Sequence, residues 1–202
     1  TRTDVDWLKA TVTTGTLGVY SSSPTTNSNL DTKLTLLDGT GLAIFSTDAA
    51  STMTENGSGV GAWPVAGLDG VLNIVVPNGT YYLKLEGVGR TGMYSDYGSL
   101  GQYSVITRAM SQSAIATSPT PTISGTKRRG RTLTANRGTW TSGTSLSQQW
   151  LRNGVPIPGA TGRTYVLTSA DVGKRISVRV LGQKAGKAAV LRLSSKTPAI
   201  TN

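Results

Sequence analysis

The sequence contains no cysteine and no histidine in 202 residues. Without cysteine it can form neither disulfides nor thiolate metal sites. Without histidine it has no Ser-His-Asp or Cys-His catalysis, no histidine-ligated zinc and no histidine pH switch. Any hydrolysis would have to run on carboxylates, lysine or tyrosine. Phenylalanine occurs once and charged residues make up only 15%. No apolar run approaches the ~20 residues that cross a bilayer, so no membrane span is expected. No basic-then-apolar signal segment opens the chain. It begins at TRTDVDWLK, directly ahead of an apparent strand, and reads as a segment of a longer precursor. Cysteine-free chains occur in the bacterial cytosol and among secreted proteins, so the redox compartment stays open.

What the sequence does hold is threonine, serine and glycine beside 37% apolar residues, the mixture of all-β proteins built from many short strands. DWLKATVTT, GTLGVYSS, TKLTLLD, LAIFS, VLNIVV, TYYLKLEGV and GQYSVITRA are β-branched and separated by glycine, asparagine, aspartate or proline. No stretch keeps a helical period. Charge divides the chain. Residues 1–117 hold six Lys/Arg and nine Asp/Glu, a net of −3, while residues 118–202 hold fourteen Lys/Arg against Asp171 alone, a net of +13. TSPTPT at 117–122 lies between them, its prolines disfavouring helix. Two tandem β-sandwich domains, 1–117 and 118–202, are therefore expected, each large enough for its own core.

Two resemblances attach to these halves. DVDWLK, LTLLDGTG, VPNGTYYLKLEGVG and YSDYGSLGQYSV, in that order, resemble the bacterial pre-peptidase C-terminal domain over residues 4–110. The resemblance implies a β-sandwich that follows the catalytic domain of a secreted metallopeptidase; relatives in clostridial collagenases bind collagen. It carries over no catalytic residue. TPTISG, RTLTANRGTW, SLSQQWLRNGVPIPGATGRTYVLTSADVGKRISVRV and KAAVLRLSSKTPAI resemble a bacterial immunoglobulin-like repeat over residues 119–200. This second resemblance implies a spacer or adhesion module, with Trp150 as the core tryptophan of its third strand and LTSADVGKRISV as the turn before the sixth. The paired cysteines of many such folds are missing, so packing alone must hold the core.

Several side chains are candidates for binding. Alternation in TYYLKLEG puts Tyr81, Leu83 and Leu85 on one face and Tyr82, Lys84 and Glu86 on the other. Tyr94 and Tyr97 stand in a Gly/Ser-rich loop, whereas Tyr103 shares a face with Val105 and belongs to the core. Tyr82, Tyr94 and Tyr97 together would make an aromatic surface for collagen or polysaccharide, or the loop tyrosines cap the end of the sandwich. Trp63, in glycine-rich GSGVGAWPVAGLDG, is either a binding residue or a plug at the rim. Asp4 and Asp6 invite a calcium reading, but two carboxylates supply too few oxygens, and turn or strand-capping roles are favoured. No other cofactor is expected. DGTG at 38–41 reads as a hairpin turn.

In the immunoglobulin-like order that the resemblance implies, Lys127, Arg128, Arg129 and Arg131 of KRRGR would fall in the loop between the first two strands, at the same end as Lys174 and Arg175, with Arg152 of the LRNG turn joining them. Such a basic pole attracts anionic polymers, including teichoic acids, acidic glycans and nucleic acid. Specific nucleic-acid recognition is not expected, because aromatic interleaving is lacking. Arg175, Ser177 and Arg179 alternate with Ile176, Val178 and Val180 as a strand with one solvated face. A carboxylate pair such as Glu86 with Asp96 could in principle serve a glycosidase, yet nothing in the spacing singles it out. GVGR and GSGVG lack the strand-then-helix context of a phosphate loop.

The expectation is a non-enzymatic, extracellular accessory region attached to a parent catalytic domain. It would bind an insoluble protein or polysaccharide, or an anionic cell-wall polymer. The competing expectation is a structural spacer or processing segment with no ligand of its own.

Overall fold

In a computed structural model of the protein, the β-branched stretches become strands and glycine, aspartate and asparagine make the turns between them. The structure describes residues 5–22, 32–48, 71–87, 104–108 and 113–202. Trp63, Tyr94, Asp96, Tyr97, Tyr103 and Asp4 lie outside them. Fourteen strands occur among the described residues: β1 (Val5–Val12), β2 (Thr16–Ser22), β3 (Thr32–Leu37), β4 (Ala43–Asp48), β5 (Val71–Val75), β6 (Gly79–Gly87), β7 (Ser104–Arg108), β8 (Thr122–Ser124), β9 (Thr132–Asn136), β10 (Ser145–Arg152), β11 (Val155–Pro156), β12 (Thr164–Val166), β13 (Ile176–Gln183) and β14 (Ala189–Leu193). The fold is an all-β sandwich; the only helical piece among the described residues is a 3-10 turn at Ser169–Asp171. Two compact units form, Thr1–Asn73 with Asn78–Ser111, and Ile74–Pro77 with Gln112–Asn202.

In the first unit, β1, β6, β3 and β4 form an antiparallel sheet in that order, and β2 pairs with β7. The period-2 alternation of β6 is realised: Tyr81, Leu83 and Leu85 are buried, while Tyr82, Lys84 and Glu86 are half-buried on the opposite face. Leu34 and Leu36 of β3 stand opposite Leu85 and Leu83 and complete the buried face. Burial, with the nearby Asp38 charge, raises the Tyr81 pKa. DGTG is the β3–β4 turn. Asp38 Oδ1 accepts from the backbone N–H groups of Thr40 and Leu42, and Gly41 supplies the positive φ of +83°.

In the second unit, β11-β10-β13-β14 faces the smaller sheet β12-β9-β8. Leu133 and Ala135 from β9 meet Trp150 from β10 and Ile176 and Val178 from β13 in one buried cluster, which is why alternate residues in these strands are apolar. Trp150 lies in the unit's third strand and is fully buried. Its indole N–H donates to the Gly162 carbonyl at 2.8 Å, so burying the ring leaves no polar group unpaired. The Asn153-Gly154 pair, with φ of 51° and 90°, closes the two-residue hairpin between β10 and β11. A second cluster joins Ile115, Trp140, Val180 and Val190. Trp140 lies so close over Gly182 that a Cβ there would overlap its ring.

The stretch TSPTPT is extended, and it is fastened along the second unit. Arg192 donates to the Ser118 carbonyl and hydroxyl at 2.8 and 2.9 Å, and Thr117 exchanges hydrogen bonds with Thr141. The solvated face expected for β13 is only partly so. Arg175 is exposed and Arg179 half-buried, but Ser177 is 1% exposed. It sits in a central strand opposite Leu151, itself buried, with the Ser194–Thr197 backbone bonded along the other side. Parity assigns Ser177 to a face; only the neighbouring chain decides whether that face sees water.

Candidate functional site

The end of the second unit that carries KRRGR is assembled around two residues, Ile200 and Thr201. Thr201 N–H donates to the Lys127 carbonyl and Arg129 N–H to the Thr201 carbonyl, each at 2.9 Å. On its other side the same segment takes Ile200 N–H to the Lys174 carbonyl and Gly173 N–H to the Ile200 carbonyl, again at 2.9 Å. The parallel bridges Arg128–Thr201 and Val172–Ile200 follow. With one strand spacing on each side, the two loop backbones lie about 10 Å apart. The β10–β11 turn joins them: Asn153 N–H donates to the Arg175 carbonyl at 2.8 Å and Arg175 N–H to Asn153 Oδ1 at 2.9 Å. Three loops distant in sequence are thus fixed by backbone hydrogen bonds.

The cations on these loops differ in their bonding. Lys127 Nζ donates to the Gly125 carbonyl at 2.6 Å, Arg128 Nε to the Asn202 carbonyl at 2.9 Å and Arg175 Nη1 to the Thr197 carbonyl at 3.3 Å. The neutral Gly125 and Thr197 carbonyls orient Lys127 and Arg175 without cancelling their charge. Arg129, Arg131 and Lys174 are exposed and make no ion pair among the described residues. The loops therefore gather six cations at one end of the sandwich, none of them in an ion pair with an acidic side chain among the described residues.

Arg152 must be taken out of the expected basic pole. Its Nε lies 2.7 Å from Asp171 Oδ1, and its Nη2 donates to the Tyr165 hydroxyl at 3.3 Å. Asp171 is 0% exposed. Its Oδ2 accepts from the Tyr165 hydroxyl at 2.9 Å, the Thr168 backbone N–H at 2.7 Å and the Thr168 hydroxyl at 2.9 Å. Burial alone would raise the Asp171 pKa, but hydrogen bonds from the Thr168 backbone, Arg152, Tyr165 and the Thr168 hydroxyl outweigh it and hold the carboxyl below the ordinary aspartate value. Burial and the same carboxylate raise the Tyr165 pKa. Tyr165 also lies against Trp150, ring centroids 5.8 Å apart. The group ties β10, β12 and the turn before β13 to the core.

This pairing has an electrostatic consequence. Asp171 is the only acidic side chain from residue 112 to the end, and it is buried. Residues 118–202 thus hold thirteen further Lys/Arg and no second acidic side chain, so their charged side chains outside the Arg152–Asp171 pair are all of one sign. Such a charge distribution favours a positive potential around this unit, which salt screens. Two signals for Asp171 stand in the sequence: its isolation among fourteen cations and the Thr168-to-Asp171 spacing, which is that of a capping box.

In the first unit, the aromatic candidate within the described residues is Tyr82, half-buried and opposite Lys9 on β1 and Leu37 on β3. Asp6 is exposed on β1, opposite Leu85. Among the described residues no three Asp or Glu side chains gather to hold a metal, and no helix is long and apolar enough to cross a membrane. Glu86 is engaged by Lys84 Nζ at 2.5 Å. Sequence reasoning passed over Trp7, which is 56% exposed in the middle of β1. The signal for it was parity: in DWLK it falls on the same face as Lys9.

No protein-family model and no curated protein matches the sequence. Among solved structures, the chain is similar to an FMN-binding beta-glucuronidase from Facaelibacterium prausnitzii L2-6, with a TM-score of 0.29 and 11% identity over 94% of this chain and 31% of that one. It is also similar to a beta-1,2-glucanase from Parabacteroides distasonis, with a TM-score of 0.27 and 10% identity over 96% of this chain and 31% of that one. The chain thus spans under a third of either neighbour's length.

Proposed function

We propose that the protein is a non-catalytic accessory module of a secreted bacterial metallopeptidase, and that its second unit holds the parent enzyme against an anionic polymer of the cell wall or substrate matrix. The observation that carries this reading is the burial of Asp171, which leaves the second unit no accessible acidic side chain while three hydrogen-bonded loops gather Lys127, Arg128, Arg129, Arg131, Lys174 and Arg175. Four of these six are arginines, whose planar guanidinium suits phosphate and carboxylate oxygens. The association with a metallopeptidase rests on the sequence resemblance of residues 4–110.

Co-sedimentation with purified bacterial cell walls tests the reading. Retention by intact walls and loss of retention by walls stripped of their phosphate-bearing polymers is the expected result. Equal retention by both, or by neither, would remove the anionic polymer as the ligand and return the basic end to a role in solubility or to a spacer.

A further inference from the structure

Trp7 occupies a regular strand position, yet more than half of its surface is open to solvent. Its surroundings explain why the ring is nonetheless held in place. In the β1–β6 register Trp7 stands opposite Lys84, and Lys9 opposite Tyr82. Trp7 and Tyr82 are therefore diagonal neighbours on one face, about 7–8 Å apart at their backbones and within reach of aromatic side chains. Lys84 Nζ lies 5.9 Å from the Trp7 ring centroid, in the range of a cation–π contact, and the same ammonium is paired with Glu86. Leu8 and Asp6 point to the other face, with Leu83 and Leu85. Among the described residues β1 is the edge strand of its sheet, so Trp7 stands at its margin.

We propose that Trp7, with Tyr82, Lys84 and Glu86, forms a binding platform for the sugar rings of a neutral polysaccharide. A pyranose has an apolar C–H face and a rim of hydroxyls that both donate and accept. The site has the matching parts: a preoriented indole face with a second ring diagonal to it, an ammonium donor and a carboxylate acceptor. The pairing of Lys84 with Glu86 leaves neither charge free beside the ring, and Lys9, exposed on the same face opposite Tyr82, adds a further donor for hydroxyls. Uncharged hydroxyls satisfy both groups without breaking the pair. Aromatic side chains give large contact area at small entropic cost, which suits a repeating polymer. This site is independent of the basic end; together the two would let one chain grip a composite surface, each reinforcing the other if both engage at once.

The test is reversed-polarity native electrophoresis of the full chain in gels containing hydroxyethyl cellulose, arabinoxylan, laminarin or galactomannan, with gelatin as the polypeptide control. The expected result is retardation by at least one glycan, unchanged at high salt, and weakened at least about tenfold, the effect of 1.4 kcal/mol, by Trp7→Ala. Trp7→Thr keeps a strand-forming residue at the position and should lose retardation equally, with an unfolding midpoint matching the parent chain. Tyr82→Ala should weaken retardation less than loss of Trp7. Retardation that survives both Trp7 substitutions, absence of retardation by all four glycans, or retardation by gelatin alone would overturn the proposal. None of these outcomes depends on cell-wall retention, whose salt-sensitive part belongs to the second unit.

Discussion

Replacing Asp171 with alanine is expected to destabilise the second unit by about 3 kcal/mol, a large share of the 5–15 kcal/mol that holds a typical domain together. The carboxylate accepts from Arg152, Tyr165 and both donors of Thr168, and its removal leaves a guanidinium without its counter-ion next to the Trp150 core. Breaking a buried pair from one side costs about 3–5 kcal/mol. The lower end applies here because the Arg152 side chain is 29% exposed, so water can solvate part of its charge. Urea unfolding followed by tryptophan fluorescence, to which Trp140 and Trp150 of the second unit contribute alongside Trp7 and Trp63, provides the measurement. A loss below about 1 kcal/mol would show that Arg152 turns to solvent and that the group contributes little. The pH dependence has a fixed sign. The folded pKa of Asp171 lies below its unfolded value, so on acidification the unfolded chain takes up this proton first. Its contribution is whole at neutral pH and is lost as the pH falls below about 4, through the folded value. The stability gap between the parent chain and Asp171→Ala should close in that window.

Reversing two charges at the basic end, Arg129→Glu with Lys174→Glu, should weaken binding to an anionic polymer about a hundredfold, equivalent to about 2.8 kcal/mol. The two side chains stand on loops bonded to opposite sides of the Ile200–Thr201 segment, so the pair removes attraction across the whole end. Neither makes an ion pair among the described residues, and both are exposed, so the unfolding midpoint should stay within the range of ordinary surface changes. Arg152→Gln offers a contrast. Its charge is already matched by Asp171, so it should cost stability while leaving polymer affinity nearly unchanged. Equal weakening by all three substitutions would mean that affinity follows net charge alone and not this end of the sandwich.

How far the sequence could carry these conclusions depends on the kind of signal involved. The strands were legible because their signals are local: period-2 alternation in TYYLKLEG, the Asp-Gly turn at 38–41 and the Asn-Gly turn at 153–154 each act within a few residues. The gathering of KRRGR with Lys174 and Arg175 was legible through the strand order that the immunoglobulin-like resemblance implies. The fate of Arg152 was not, since its partner lies 19 residues away and reaches it only after β10, β12 and the turn before β13 have packed. Ser177 shows the limit of alternation, which sets the direction of a side chain but not what covers it. Trp7 escaped notice because an edge strand can leave apolar residues open on both faces, as Leu8 at 39% exposure also shows.

The central claim is that the second unit binds through its positive charge, and a salt titration of that binding tests it most directly. Equilibrium binding of the full chain to a soluble, phosphate-bearing cell-wall polymer would be measured from low to high salt. The account predicts that log K falls linearly with log salt concentration, with a slope that becomes shallower when Arg129 and Lys174 are reversed. Binding whose strength does not change with salt, or a slope that is the same with and without those two charges, would contradict it.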